Sequence, residues 1–197
     1  MPPPYLAWAH PDRLVTSKGP ILGDGRLVYA SVDVAQPQVA FLYKNGGGAR
    51  VLARLAQWRE LGKLYGFDAL VANIDRHAGN VLFSGDREVW VIDHGWCFTG
   101  PNWGPADLTP PDKAVLSKLN GWLTPVLDDK QRTVIALDAA KIESDAAKVD
   151  LRLLALTNHV ATLLNDGDLD AVLTFLNGRC PHVPRLAANT LGLEWLV

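Results

Sequence analysis

Apolar residues recur at helical spacing between residues 49 and 65, which predicts helical structure with one buried stripe. The apolar run 67–72 predicts the end of a buried helix that leads into a polar loop. The stripe consists of Val51, Leu55, Trp58, Leu61 and Tyr65. We expect these side chains to pack in the core rather than to bind a cofactor.

Two short runs rich in β-branched and aromatic residues, 81–83 and 89–92, flank the polar stretch 84–88. This pattern predicts a β-hairpin. Because paired hairpin strands are antiparallel, the start of the first strand and the end of the second meet at one end of the hairpin. Asn80 and Asp93 occupy these two positions.

The rest of the chain divides into a mixed first part and a helical second part. Residues 5–44 carry short strand candidates among Pro and Gly, and the Pro- and Gly-rich segment 99–111 predicts a loop. Helices are predicted near 112–122, 129–141, 145–165, 168–177 and 184–191, several of them opened by Asp or Pro. The longest has one apolar face, which predicts a central packing helix, formed by Val149, Leu153, Leu156, Val160 and Leu163.

Composition favours one compact domain over residues 1–197, since 48% of the residues are hydrophobic and can fill a sizeable core. The predicted fold class is α+β, mainly helical. A net charge of −2 and a pI near 6.2 argue against direct nucleic-acid binding. Two cysteines are too few for a disulfide framework, and no apolar stretch is long enough to span a bilayer. With no leader pattern at the start, these features predict a cytoplasmic protein.

Candidate chemistry concentrates in the loop before the hairpin and at the hairpin's end. Phosphoryl transfer needs metal ions to neutralise charge and a carboxylate to orient the attacking hydroxyl. Asp75 lies five residues before Asn80, and Asp93 ends the second predicted strand. We therefore predict Asp75 as the catalytic base and Asn80 with Asp93 as Mg²⁺ ligands, since Mg²⁺ prefers hard oxygen donors. Gly95 would allow a sharp turn after Asp93.

Neighbouring polar residues have simpler expected roles. Arg76 is expected to orient Asp75 or Asp93 through a salt bridge, and His77 to pack or to hydrogen bond with the backbone. Asp and Asn are also common in turns, where their side chains cap the backbone. Turn chemistry alone is the simplest alternative explanation of the pattern.

At these residues the chain resembles known kinases. The sequence Asp75-Arg-His-x-x-Asn80 is similar to the catalytic-loop signature of phosphatidylinositol 3- and 4-kinases, and 72–81 together with 91–94 look most like bacterial HipA-like kinases. The resemblance implies a protein-kinase-like large lobe, ATP with Mg²⁺, and a protein hydroxyl as acceptor. It gives Asp75, Asn80 and Asp93 the same roles and makes 99–111 an activation-segment-like loop. His94 departs from the Phe of the Asp-Phe-Gly motif.

The resemblance also implies that most of a small lobe is missing. Only 74 residues precede Asp75, and the glycine cluster 46–48 matches neither a glycine-rich kinase loop nor a P-loop. Segment 27–34 looks like the hinge between lobes. Lys44, at the end of a candidate strand 39–44, could imitate the phosphate-anchoring lysine by pairing with Glu60. We expect weak activity of the chain alone, and a partner chain that completes the lobe.

Three classes of function follow from these features. The first is an active Mg·ATP-dependent kinase, which in a HipA-like setting would belong to a toxin–antitoxin pair. The second is a degenerate, pseudokinase-like module that binds nucleotide or a partner chain. The third is a metal-dependent hydrolase whose ligands are Asp75, His77, Asp93 and His94, because imidazole and carboxylate together suit zinc, manganese or iron.

Overall fold

The computed structural model describes residues 4–10, 21–22, 25–31, 44, 47–84 and 88–194. Near the start, strands β1 (Pro4–Ala9), β2 (Ile21–Leu22) and β3 (Gly25–Ser31) form an antiparallel sheet in the order β1-β3-β2. The strand candidates in this region are thus confirmed up to residue 31. The predicted strand residues 39–43 and the end of the hinge-like segment, 32–34, lie outside the described residues.

The described chain from residue 47 onward is mainly helical, with one further sheet. Strands β4 (Val81–Ser84) and β5 (Glu88–Val91) pair antiparallel with Val81 opposite Val91, so the predicted hairpin is confirmed. The α-helices are α1 (Gly48–Ala56), α2 (Leu61–Leu70), α3 (Leu119–Trp122), α4 (Asp129–Ala146), α5 (Leu151–Thr157), α6 (Asp166–Arg179) and α7 (Val183–Thr190). Short 3-10 turns occupy Ala78–Asn80, Pro105–Leu108, Thr124–Val126, Val160–Thr162 and Cys180–His182.

The main core lies where α2, α4 and α7 pack together, with α1 and the hairpin against them. The predicted stripe is buried in this core at Val51, Leu55, Leu61 and Tyr65. The stripe runs across two helices rather than one. Residues 57–60 form a tight turn in which the Trp58 amide bonds the Leu55 carbonyl and the Leu61 amide bonds the Trp58 carbonyl. No described helix has the length and apolar character needed to cross a membrane.

Helix α2 packs against α4 with no room for a side chain at two of its contact residues, which are glycines. A methyl group at Gly66 would lie 2.6 Å from both the Ala139 carbonyl oxygen and the Ile142 side chain. A methyl group at Gly62 would lie 2.5 Å from Cβ of Asp138. The clash at Gly66 involves the Ala139 backbone, which cannot rotate away as a side chain can. The crossing matters for function because α2 leads directly into the candidate catalytic loop.

The long helix predicted at 145–165 is wrong. Helix α4 ends at Ala146, and the Asp150 side chain then accepts a hydrogen bond from the Leu153 amide and caps a new short helix, α5. His159 adopts a left-handed backbone conformation (φ 59°) and ends that segment. The apolar face expected to pack centrally is largely exposed, as at Val149, Leu153, Leu156 and Leu163. A capping aspartate therefore overrides the apolar periodicity.

The helix predicted at 112–122 is also shortened, to Leu119–Trp122. Arg179, buried at the end of α6, donates hydrogen bonds to the carbonyls of Pro111 and Lys113 at 2.6 and 2.9 Å. It also donates to the Ala69 carbonyl at 2.6 Å. The carbonyls of Pro111 and Lys113 thus accept hydrogen bonds from a side chain instead of from the backbone N–H groups of a helix. Arg179 thereby ties the end of the 99–111 loop to the end of α2.

We predict that Gly66→Ala lowers the free energy of unfolding by about 1–3 kcal/mol, because the added methyl group overpacks the α2–α4 crossing. Gly121→Ala is the control, because a methyl group there meets no atom within 4 Å. Its expected effect ranges from none to about 1 kcal/mol of stabilisation through helix propensity. Urea unfolding followed by circular dichroism measures both. Equal midpoints for the two variants would contradict the close crossing.

Candidate functional site

The end of helix α2 turns the chain into the candidate catalytic loop. The Asn73 amide bonds the Asp68 carbonyl at 2.9 Å and the Ala72 amide bonds the Ala69 carbonyl at 3.4 Å, which is the Schellman pattern of helix termination. Ala72 takes the left-handed conformation (φ 50°) that glycine usually supplies. Its methyl group is fully buried. The predicted helix end before Asp75 is thus confirmed.

A buried ion pair fixes the loop to the helix that precedes it. Arg76 is fully buried, and its Nε and Nη2 donate to the two carboxylate oxygens of Asp68 at 2.9 and 3.0 Å. The side-chain amide of Asn73 donates to the same carboxylate at 3.0 Å. Burial raises the pKa of the Asp68 carboxyl, whereas Arg76 and Asn73 oppose that shift. Because both oxygens accept hydrogen bonds, we assign the ionised form.

The remaining Arg76 donors reach the hairpin. Nη1 donates to the carbonyls of Ile92 at 2.8 Å and Asn80 at 3.4 Å, and Nη2 donates to Nδ1 of His94 at 3.0 Å. All five N–H groups of the guanidinium are therefore used. Arg76 orients the loop, as expected, but its partner is Asp68 rather than Asp75 or Asp93.

Asp75 projects from this fixed frame with its carboxylate near two side chains. Its amide bonds the Asn73 side chain at 3.0 Å, and its carbonyl accepts from the Asn80 side chain at 3.1 Å. The carboxylate pairs with Lys118 through Oδ1 and lies 3.6 Å from Nε2 of His77 through Oδ2. Since 13% of the side chain is exposed, the carboxylate is reachable from solvent. Such a group can accept a proton from a bound hydroxyl.

Asn80 and Asp93 lie at the same end of the hairpin, as predicted. The Ile92 amide bonds the Asn80 carbonyl at 3.0 Å, which continues the β4–β5 pairing by one step. Asp93 follows with a left-handed backbone (φ 54°), a conformation that non-glycine residues adopt at some cost. Its side chain is exposed and accepts a bond from the Gly95 amide at 3.3 Å. Strain of this kind is common at functional sites.

The donor set fits Mg²⁺ better than a transition metal. Asp93 offers an exposed carboxylate. The Asn80 side chain donates its N–H to the Asp75 carbonyl, and its oxygen has no partner among the described residues. One carboxylate and one amide oxygen suit a hard cation that keeps several waters and binds phosphate oxygens. Both imidazoles, in contrast, use the Nδ1 lone pair inside the protein.

In this arrangement neither histidine offers its Nδ1 to a metal. Nδ1 of His77 accepts from the Gly79 amide at 2.9 Å, and Nδ1 of His94 accepts from Arg76. Each neutral ring then carries its proton on Nε2, which leaves no lone pair. Across the described ranges, no three His, Cys, Asp or Glu side chains form a group that could hold a metal. The hydrolase interpretation therefore gains no support from the described residues.

His94 stays neutral because of its surroundings. Burial and the nearby Arg76 guanidinium lower the pKa of His94 to about 4. Its ring meets Phe67 edge-on, with ring centroids 5.4 Å apart. Its Nε2 is buried and has no hydrogen-bond partner among the residues described. His94 thus closes the inner side of the loop and accepts a hydrogen bond from Arg76.

The nucleotide-binding role suggested for Lys44 finds no support. Lys44 is exposed and is not part of a β-strand. Glu60, its expected partner, instead pairs with Arg59 at 3.1 Å and Lys63 at 2.5 Å. Sequence reasoning also missed Asp68, Asn73 and Lys118, which complete the site. For Asp68 the signal was an acidic residue inside an apolar helix end, because a charged group there is normally paired.

We predict that Asp68→Asn lowers the free energy of unfolding by about 3–5 kcal/mol, because it leaves the buried Arg76 charge without a counter-ion. Asp145→Asn is the matched control, since its pair with Lys148 is exposed and its loss changes stability by less than about 1 kcal/mol. Urea unfolding reports both values. A loss of less than 1 kcal/mol in Asp68→Asn would show that this ion pair does not hold the loop.

Comparison with models of known protein families, with curated proteins and with solved structures found no match for this chain.

Proposed function

We propose that this protein is a HipA-like Mg·ATP-dependent phosphotransferase whose acceptor is a serine or threonine hydroxyl of a protein. The observation that carries the proposal is the single hydrogen-bonded unit around Arg76. That unit joins the loop bearing Asp75 to the hairpin end bearing Asn80 and Asp93. Phosphoryl transfer depends mainly on positioning and electrostatics, so a rigid frame of this kind is what the reaction requires.

Within this proposal Asp75 receives the proton of the acceptor hydroxyl. The hydroxyl oxygen attacks the γ-phosphorus of ATP, the bond from that phosphorus to the β–γ bridging oxygen breaks, and ADP leaves with the electron pair. Asn73 holds the Asp75 amide and Asn80 holds its carbonyl, which fixes the backbone on both sides of the base. The carboxylate pairs with Lys118 through Oδ1 and is still partly exposed, so a substrate hydroxyl can reach it.

Asn80 and Asp93 would hold Mg²⁺ through their side-chain oxygens. The metal would neutralise the phosphate charge, which the cationic side chains of the protein would balance only in part. The left-handed backbone at Asp93 and the buried position of Asn80 keep these groups at fixed places on the hairpin. Preorganised ligands lower the cost of ordering when the nucleotide binds.

A protein acceptor is favoured mainly by the resemblance rather than by the surface beside Asp75. Residues 113–117 have no regular secondary structure, and the Lys118 amide bonds the Ile74 carbonyl at 3.3 Å, next to the base. Leu116 in this segment is 82% exposed. One exposed leucine is ordinary on a protein surface, so the resemblance remains the main support for a protein acceptor. A partner chain that supplies a phosphate-binding lobe remains part of the proposal.

The alternative is a degenerate kinase that binds nucleotide or a partner without turnover. The exposure of Lys44 favours it, because the described residues then offer no strand lysine to anchor the phosphates. Nucleotide binding would still depend on the hairpin end, but Asp75 would have no kinetic role. Nucleotide binding and phosphotransfer, measured separately in site variants, distinguish the active kinase from the degenerate one.

Asp93→Ala is expected to weaken Mg·ATP binding by more than about tenfold, because it removes a charged ligand from a site with few others. Asn80→Ala should have a smaller effect in the same direction, because it removes a neutral ligand. Isothermal titration calorimetry measures both affinities, with Asp145→Ala as a surface control. Unchanged affinity in both site variants would refute the metal assignment, and binding of zinc without nucleotide would favour the hydrolase.

Asp75→Asn is expected to leave Mg·ATP affinity nearly unchanged and to lower phosphotransfer by about 10²- to 10⁴-fold, as for a lost general base. The assay follows transfer of the γ-phosphoryl group of radiolabelled ATP, by the chain alone and with the product of any adjacent reading frame. Loss of affinity equal to that of Asp93→Ala would make Asp75 a metal ligand instead. Turnover that is absent in the unaltered chain under every condition would favour the degenerate kinase.

A further inference from the structure

Lys118 is the cation that contacts the candidate base, and it comes from a different part of the chain. Its Nζ pairs with Oδ1 of Asp75 from 43 residues further along. The Lys118 amide bonds the Ile74 carbonyl at 3.3 Å, and Ser117 before it is buried. The backbone of Lys118 is thus fixed beside the base, while 58% of its side chain is exposed.

Lys118 also has donors to spare, unlike the other cation of the site. An ammonium group carries three N–H donors, and Asp75 uses one of them. Arg76 is fully buried, and all five of its donors are used inside the protein. Among the described residues, Lys118 is therefore the positive side chain at Asp75 that can turn toward a bound anion.

The geometry of phosphoryl transfer indicates what the remaining Lys118 donors could bind. The acceptor oxygen lies about 3–3.5 Å from the phosphorus in a reactive complex. The same oxygen lies within hydrogen-bond distance of the base, about 2.6–3.2 Å. A cation bonded to one oxygen of the base, on the side open to solvent, is then within reach of the oxygens of the group being transferred.

We infer that Lys118 is a catalytic residue that binds the γ-phosphoryl group of ATP while it contacts Asp75. This inference rests on the proposed function. As the acceptor oxygen bonds to phosphorus and the bond to ADP breaks, the acceptor proton passes to Asp75 and Lys118 keeps its own protons. Its charge opposes the negative charge on the transferring oxygens, a role that neither Arg76 nor an imidazole with Nδ1 engaged can fill.

The test compares ATP with ADP, because only ATP carries the γ-phosphoryl group. In calorimetric titration with Mg²⁺, Lys118→Met should weaken ATP binding by about tenfold and leave ADP binding unchanged, the expected loss of one charge-assisted hydrogen bond. Lys118→Arg keeps the charge and should retain most of the ATP preference. Phosphotransfer by Lys118→Met should fall by at least as large a factor as ATP affinity.

Lys113→Met is the matched control, since Lys113 is exposed on the same segment and makes no ion pair with any described residue. Thermal melts confirm that each variant folds. Equal losses of ATP and ADP affinity, or no loss of either, would show that Lys118 does not face the γ-phosphoryl group. A rise in phosphotransfer would make the Lys118 contact an inhibitory one. If the unaltered chain binds neither nucleotide, alone or with the product of any adjacent reading frame, the proposed function itself fails.

Discussion

The buried pair between Asp68 and Arg76 is the interaction on which the site depends. Removing two charges from water is costly, and Coulomb attraction alone rarely offsets that cost. Here the guanidinium also satisfies two backbone carbonyls and an imidazole, so nearly every polar group around it is paired. An apolar pair of similar volume would pack well but would leave those groups unsatisfied and the loop detached from the hairpin.

The same pair marks the boundary between a buried interior and an accessible surface. Arg76 and Asp68 face inward, whereas the carboxylates of Asp75 and Asp93 remain accessible on the outer side. The interior charges are neutralised by each other, whereas the accessible carboxylates contact Lys118 at Asp75 and the Gly95 amide at Asp93. Arg179 extends this frame from α2 to the end of the 99–111 loop through carbonyl groups alone.

Local features of the site were predictable from sequence, and distant ones were not. The hairpin follows from β-branched runs on either side of a polar stretch, so the neighbouring ends at Asn80 and Asp93 could be predicted. Lys118 could not, because nothing in the pattern of 112–122 indicates that Arg179 holds this segment out of a helix. The 145–165 helix was wrong because apolar periodicity continues across Asp150, which instead caps a new helix. The roles of Asp75, Asn80 and Asp93 remain predictions.

The order of residues in the site has a consequence for how it forms. Every partner of the Arg76 side chain lies within 18 residues of it along the chain. Closing such short loops costs little chain entropy, and structures rich in local contacts fold fast. Lys118 lies 43 residues after Asp75 in the chain, so its contact with Asp75 closes a longer loop. We therefore expect the frame around Arg76 to assemble early during folding, and the contact that completes the charge pattern at Asp75 to form later.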